Sequence, residues 1–308
     1  MSFNRKFFKV IKCLYKTRIP KIISGFFLLY FVFSGLFYIR QFDKSTKTNG
    51  SKENRPHIIL GILSQQKNYH FRVTQRDTWI KTMLYLKDIL PFNVTYKFLL
   101  DNPSSESIQE NNLHNDIVYL NVSHNGQAVK FGEKMYVWWH YIYKVYPYAL
   151  MGARIDDDAF VCVPQIFQRL DSLKSGTLYY GWRHGKRKQI DRNNRIDDMF
   201  LVLGMDLISL ISKKTYCSES ECKNKDELIE TEYGGTSMAE WLSVYNDNIN
   251  FVHFVGDNDR IVQLGTYYND SYRKYLKPDF CDNKLVFHQS TCEMMHQLHL
   301  YNNHLVIG

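Results

Sequence analysis

The sequence predicts an α/β fold, with a single domain over residues 57–308 built on a mainly parallel central sheet flanked by helices and preceded by one transmembrane helix. Three observations lead there. From His57 onward, short apolar runs of buried-strand type alternate with helical patterns, at the spacing of strands and crossover helices in a parallel sheet. Ahead of them stands an uncharged run long enough to cross a bilayer. Further on, the apolar run Tyr148 to Ala153 leads into three consecutive carboxylates, Asp156-Asp157-Asp158, at a strand end, where open α/β sheets bind ligands.

In chain order, residues 1–21 form a basic tail, with Arg5, Lys6, Lys9, Lys12, Lys16, Arg18 and Lys21 and no acid. Ile22 to Ile39 is 18 uncharged residues, about 27 Å of helix against a hydrocarbon core of about 30 Å. The positive flank places the amino terminus in the cytosol, and no small-x-small cleavage pattern follows. The run therefore reads as the signal anchor of a type II membrane protein. Residues 40–56 are polar, cannot offset the entropy of ordering themselves, and read as a stem.

In the body, Ile58–Leu63, Val94–Leu100, Ile117–Asn121, the run into the Asp triplet, Leu178–Gly181 and Asn250–Val255 read as strands. Helical patterns run through Trp79, Met83 and Leu86, over Lys130–Tyr146 with Tyr136, Trp139 and Tyr143 on one face, and over Gln165–Leu173. Val202–Ile211 reads as a buried helix and Arg183–Arg195 as a basic loop. No internal repeat and no second domain boundary stands out.

The net charge of +8 belongs to the start of the chain: residues 1–56 carry twelve Lys/Arg and two Asp/Glu, leaving 27 basic and 29 acidic residues in 57–308. A near-neutral body lacks the electrostatic footprint of nucleic-acid binding. Cys13 precedes the anchor, while Cys162, Cys217, Cys222, Cys281 and Cys292 follow it. Local spacing favours Cys217–Cys222 and Cys281–Cys292, with Cys162 left as a buried thiol. Asn49, Asn93, Asn121 and Asn269 each open an N-x-[ST] sequon, in keeping with a luminal body.

Several pieces together resemble the β1,3-galactosyltransferase family of Golgi glycosyltransferases, whose members have an A-type nucleotide-sugar-binding fold. Arg72-x-x-x-Arg76-x-Thr78-Trp79 is similar to the family's Arg-x-x-x-Arg-x-Thr-Trp stretch. Asp116-Ile117-Val118 and the aromatic helix up to Tyr146-Pro147 resemble the segment ahead of its metal motif, and Arg154-Ile155-Asp156-Asp157-Asp158-Ala159-Phe160-Val161 resembles that motif itself. The tail, anchor and stem also fit. The carboxyl-terminal half departs from the pattern. Where the family has a Glu-Asp pair ahead of a Gly and an apolar helix, the Asp being a base, this chain has Glu232-Tyr233-Gly234-Gly235.

Like charges this close recruit a counter-ion or raise one another's pKa. A hard cation, Mn²⁺ or Mg²⁺, takes one or two carboxylates and completes its shell with substrate phosphates. The resemblance implies a UDP-sugar donor, a glycan acceptor on glycoprotein or glycolipid, and Golgi residence with the catalytic domain in the lumen. Asp158 is the expected metal ligand, with Asp156 helping through the metal's shell or the ribose, and His288 a third ligand or a core residue. Asp157, the middle residue, points to the other face, toward the donor sugar or loop amides. Arg72 and Arg76 offer forked donors to phosphate or acceptor, or form structural ion pairs with acids such as Asp77 or Asp101. Glu232 and Glu240 are the candidate bases by family position, with Asp198 an outsider. The competing reading is a non-catalytic luminal glycan-binding or chaperone-like relative that kept the fold and lost the base.

Overall fold

β1 (His57–Leu63) faces two cores at once, Ile58, Leu60 and Ile62 packing on one side and Ile59 and Leu63 on the other. A strand apolar on both faces belongs in mid-sheet under helices. The structure is a computed structural model and describes residues 55–122, 131–217, 227–229, 233–248, 251–264, 275, 277 and 280–306. The tail, anchor run and stem, through residue 54, lie outside the described residues, among which no helix is long and apolar enough to cross a membrane.

After β1 the chain forms α1 (Tyr69–Gln75), a π turn at Arg76–Ile80 kinked at Thr78, and α2 (Lys81–Tyr85). There follow β2 (Asn93–Leu100), α3 (Ser105–His114), β3 (Ile117–Tyr119), α4 (Phe131–Val145), β4 (Met151–Asp156), β5 (Phe160–Val161) and α5 (Val163–Leu173). Next come β6 (Leu178–Arg183), β7 (Ile196–Gly204), α6 (Met205–Ser212), β8 (Tyr216–Cys217), β9 (Leu228–Ile229) and α7 (Gly234–Ser243). The chain closes with β10 (His253–Gly256), β11 (Ile261–Gln263), β12 (Val286–His288) and α8 (Cys292–Val306). The large sheet has the order β10-β6-β7-β4-β1-β2-β3, parallel except for β7, which runs against both β4 and β6. One core holds Trp138 and Trp139 of α4 with Ile208 of α6 and Met238 of α7. The other holds Met83 of α2, Phe167 of α5 and Leu298 of α8.

Two sequence expectations need correction. Val202–Ile211 is not one helix: β7 runs through Gly204 and α6 begins at Met205. Leu201, Val202 and Leu203 are all buried because β7 is covered on both faces, and a strand covered on both faces shows no alternation to distinguish it from a buried helix. The second concerns the thiols. Cys162 is bonded to Cys281 across 119 residues, and Cys292 is the free cysteine among the described residues, so neither the Cys281–Cys292 pairing nor a Cys162 thiol exists. Sequence proximity misled there, because the sheet order rather than the chain brings these segments together. Cys217 is disulfide-bonded, and Cys222 lies outside the described residues.

The Cys162–Cys281 disulfide borders a smaller sheet, β11-β12-β5, which carries the carboxyl-terminal segment to the Asp triplet. β12 lies antiparallel to β5, with Val286 opposite Val161 and Phe287 opposite Phe160. Cys162 N donates to Leu285 O at 2.9 Å and Ser290 N to Asp158 O at 2.8 Å, fastening the two ends of β12 to the residues on either side of β5.

Candidate functional site

Alternation along β4 sends Arg154 and Asp156 to one side and the next residue to the other. Arg154 Nη2 lies 2.8 Å from Asp156 Oδ1, and His288 at the end of β12 brings Nε2 to 3.2 Å from Asp156 Oδ2 and 3.3 Å from Asp158 Oδ1. One ligand atom from each of Asp156, Asp158 and His288 falls within 4.8 Å of the others. Two carboxylate oxygens and an imidazole nitrogen form a donor set suited to Mn²⁺, less so to Mg²⁺, which prefers oxygen alone.

In the protein alone Arg154 and His288 balance the two carboxylates. Burial raises the Asp156 pKa, against the pull of Arg154. Burial disfavours the charged form of His288, yet its hydrogen bonds to Asp156 and Asp158 outweigh that and carry its pKa to about 10. In the protein alone the imidazolium is thus the counter-ion, and any metal bound through Nε2 would displace that proton. Arg154, 3% exposed, has Nε and Nη1 without hydrogen-bond partners among the described residues, as does His288 at Nδ1.

Asp157 is built differently. Its Oδ2 accepts from Ser64 Oγ at 2.6 Å and from Asn68 Nδ2 at 3.0 Å, while its backbone O accepts from Gln75 Nε2 at 2.6 Å. Burial pushes its pKa up to about 6 in spite of the Ser64 and Asn68 bonds. With Asp156 and Asp158 it lines a polar cleft of about 220 Å³, completed by Ser64, Asn68 and Lys134 among others.

Arg72 and Arg76 are engaged in buried ion pairs, with Glu110 and Asp116 rather than Asp77 or Asp101. Arg72 donates through Nε and Nη2 to Glu110, at 3.0 and 2.6 Å, and through Nη1 to Ser64 Oγ at 3.1 Å. Arg76 grips Asp116 through Nε and Nη2, each at 2.8 Å, and Glu110 through Nη2 at 2.7 Å. Glu232 lies outside the described residues. Glu240, on α7, is ion-paired with the exposed Arg192. Asp198 lies 4.0 Å from Arg154 Nη1, and a Cβ on Gly234 would stand 3.1 Å from its Oδ2, so the carboxylate sits beside the α7 amino terminus. Its neighbour Asp197 is taken by His184 Nε2 at 2.8 Å and Met199 N at 3.1 Å, whereas no described residue hydrogen-bonds Asp198.

Sequence reasoning missed Ser64, Asn68, Gln75 and Arg154. Register was the available signal for Ser64: β1 pairs with β4 so that Leu63 stands opposite Asp156, which puts the following residue beside Asp157. Arg154 could have been found from strand period alone, two residues before Asp156 and hence on its face.

The sequence matches no family model and no curated protein. Among solved structures, the chain is similar to a glycosyltransferase involved in the glycosylation of the major capsid of PBCV-1, at 10% identity over 80% of this chain and 99% of that one, with a TM-score of 0.39. It is also similar to mouse xyloside xylosyltransferase 1 in its apo form, at 10% identity over 78% and 98% of the two chains, TM-score 0.38. A third likeness is the apo WbbM bifunctional glycosyltransferase, at 10% identity over 79% of this chain and 47% of that one, TM-score 0.40. Likenesses this distant leave the function to be argued from the site itself.

Proposed function

We propose that this chain is a metal-dependent, inverting glycosyltransferase that moves a hexose, galactose or an N-acetylhexosamine, from a UDP-sugar to a hydroxyl of a glycan acceptor on glycoprotein or glycolipid. The observation that carries this is the convergence of Asp156, Asp158 and His288, from two distant stretches of chain, on one point at the end of a central strand. A divalent cation bound there, Mn²⁺ or Mg²⁺, would neutralise the charge developing on the departing diphosphate. The residues themselves do the rest. Asp156 and Asp158 supply oxygen ligands and His288 a nitrogen, while Arg154 fixes Asp156 from behind and adds positive charge beside the leaving group.

Inversion requires a base within hydrogen-bond reach of the acceptor hydroxyl. Of the carboxylates considered, Asp198 has the best position, on the strand beside β4 near its end, with its oxygens not claimed by a described hydrogen bond. Glu232 is the alternative, and Glu240 is disfavoured by its pairing with Arg192. The Cys162–Cys281 disulfide supports a luminal body behind the signal anchor, in the Golgi membrane, since such bonds persist in oxidising compartments. A second reading, a non-catalytic glycan-binding relative, is favoured by Tyr233-Gly234 at the α7 amino terminus, where the resemblance calls for an Asp. Assaying a panel of UDP-sugars with Mn²⁺ and varied acceptors separates the two. Transfer that vanishes on chelation and in Asp158→Ala supports the enzyme, and metal-dependent UDP binding without turnover supports the relative.

A further inference from the structure

We infer that the loop between β6 and β7 recognises an anionic group, a sulfate, phosphate or carboxylate, on the glycan that the chain takes as acceptor; this rests on the UDP-sugar transferase reading. Residues 183–195 hold six Lys/Arg and one acid, Asp191, and without them the body after residue 56 carries 21 basic against 28 acidic residues. Positive charge is therefore concentrated here.

The loop is also held rigidly, by three asparagines. Asn194, fully buried, donates through Nδ2 to Arg187 O at 2.7 Å and to Gln189 O, and its Oδ1 accepts from Arg183 Nη2 at 3.2 Å. Asn246 brackets Ile190 at N and O, both at 2.8 Å, and Asn258 brackets Arg183 at N and O, at 2.8 and 2.7 Å. The Arg183 guanidinium lies 3.9 Å from the centroid of the Phe254 ring. Of the cations this frame presents, Arg187 pairs with Asp191 and Arg192 with Glu240, whereas Lys186 and Lys188 are exposed with no ion pair among the described residues. Cations on a fixed backbone lose less freedom when they grip an anion.

The sheet order says which substrate they face. β6 runs parallel to β4, so the loop leaves the sheet at the end where the Asp triplet lies, and Leu201 of β7 stands opposite both Arg154 and Gly181. The polar cleft opens on the β1 side of β4, beside Ser64, Asn68 and Lys134, while the loop stands on the β7–β6 side. Between them is Asp198, 4.0 Å from Arg154 Nη1 and beside the first turn of α7. Arg195 reaches that same turn: a Cβ on Gly235 would stand 3.5 Å from its Nε, a buried nitrogen without a hydrogen-bond partner among the described residues. A donor in the cleft and an acceptor under the loop thus meet at the carboxylate proposed as base. That sidedness gives the loop to the acceptor rather than to the diphosphate.

The test uses the full chain with saturating Mn²⁺, comparing wild type with a double variant, Lys186→Gln with Lys188→Gln. Binding is measured for N-acetyllactosamine, its 6-sulfate, the same disaccharide capped with glucuronic acid, and UDP, and transfer from UDP-galactose is followed alongside. Wild type is expected to bind an anionic glycan about tenfold more tightly than the neutral one, and the double variant to lose that preference while binding UDP as wild type does. Equal binding of neutral and anionic glycans by wild type overturns the assignment. Weakened UDP binding in the variant also overturns it, because the loop then serves the diphosphate. If the double variant fails to fold, Lys188→Gln alone decides by the same readings. Preference for an anionic glycan without transfer from UDP-galactose or any other UDP-sugar upholds the loop as an anionic-glycan site and overturns the transferase reading alone.

Discussion

Two buried charge clusters meet near the ends of β1 and β4, and they are finished to different degrees. In the first, Arg72 and Arg76 face Glu110 and Asp116, two cations against two anions, and each carboxylate receives at least two N–H donors. In the second, Arg154, Asp156, Asp158 and His288 crowd together, and Arg154 Nε and Nη1 and His288 Nδ1 are buried without hydrogen-bond partners among the described residues, against Arg76 Nη1 alone in the first. Both are built from basic side chains and carboxylates. The difference teaches that closure, not composition, separates a structural ion network from a site waiting for a ligand. Asp157, which accepts from described residues on one oxygen only, lies where the first cluster reaches the second through Ser64.

The largest effect that would break this comparison is on stability. Glu110→Ala takes from the buried Arg72 its carboxylate and leaves Arg76 with Asp116 alone, and unfolding in denaturant should show a loss of about 3–5 kcal/mol. An unchanged midpoint would mean that the first cluster is not structural. The sign with pH follows from Glu110: burial alone would raise its pKa, but the donors of Arg72 and Arg76 prevail and hold it below the ordinary value. Its contribution is therefore complete at neutral pH and disappears as pH falls through the depressed value. The stability gap between wild type and Glu110→Gln should close in acid, and a gap that widens there would reverse the assignment.

In the second cluster the same kind of change should cost chemistry instead. Asp158→Ala is expected to lower metal-dependent transfer by about 100-fold or more, since several kcal/mol of charge stabilisation depend on the cation it helps hold. Its melting temperature should fall less than that of Glu110→Ala, because the lost contact with His288 is offset by relief of the repulsion between Asp158 and Asp156. A fall comparable to that of Glu110→Ala would erase the contrast. Cys281→Ser tests how His288 is delivered, because the disulfide closes a 119-residue span just ahead of β12; about 2–4 kcal/mol should be lost in unfolding. Alkylation of native wild type should label Cys292 alone among the described cysteines. The smallest effect is reserved for Glu240→Gln, which should leave turnover within about twofold if its role is only the surface pair with Arg192.

Much of this was legible in the sequence, for definite reasons. Buried parallel strands such as Ile58–Leu63 are apolar runs of limited length, and the Asp triplet after Met151–Ile155 marks a strand end by its charge. β7 was harder to read, because a strand and a buried helix look alike when every residue is apolar. Arg72 and Arg76 were visible as a pair on one helical face, but their partners Glu110 and Asp116 come from α3 and the loop ahead of β3, and only the sheet order brings them near. Ser64 and Asn68 carry no motif at all. Their role exists only through the register of β1 on β4. The disulfide went unread for the same reason, since β12 crosses back to β5 over a distance that spacing rules do not see.

The central claim, that Asp156, Asp158 and His288 together hold a divalent cation, is tested most directly by titrating Mn²⁺ into the full chain and counting bound ions by electron paramagnetic resonance. One ion at this site is expected, with affinity weakened at least about tenfold in both Asp158→Ala and His288→Ala. Equal Mn²⁺ binding by all three proteins, or none by the folded wild type, would contradict it.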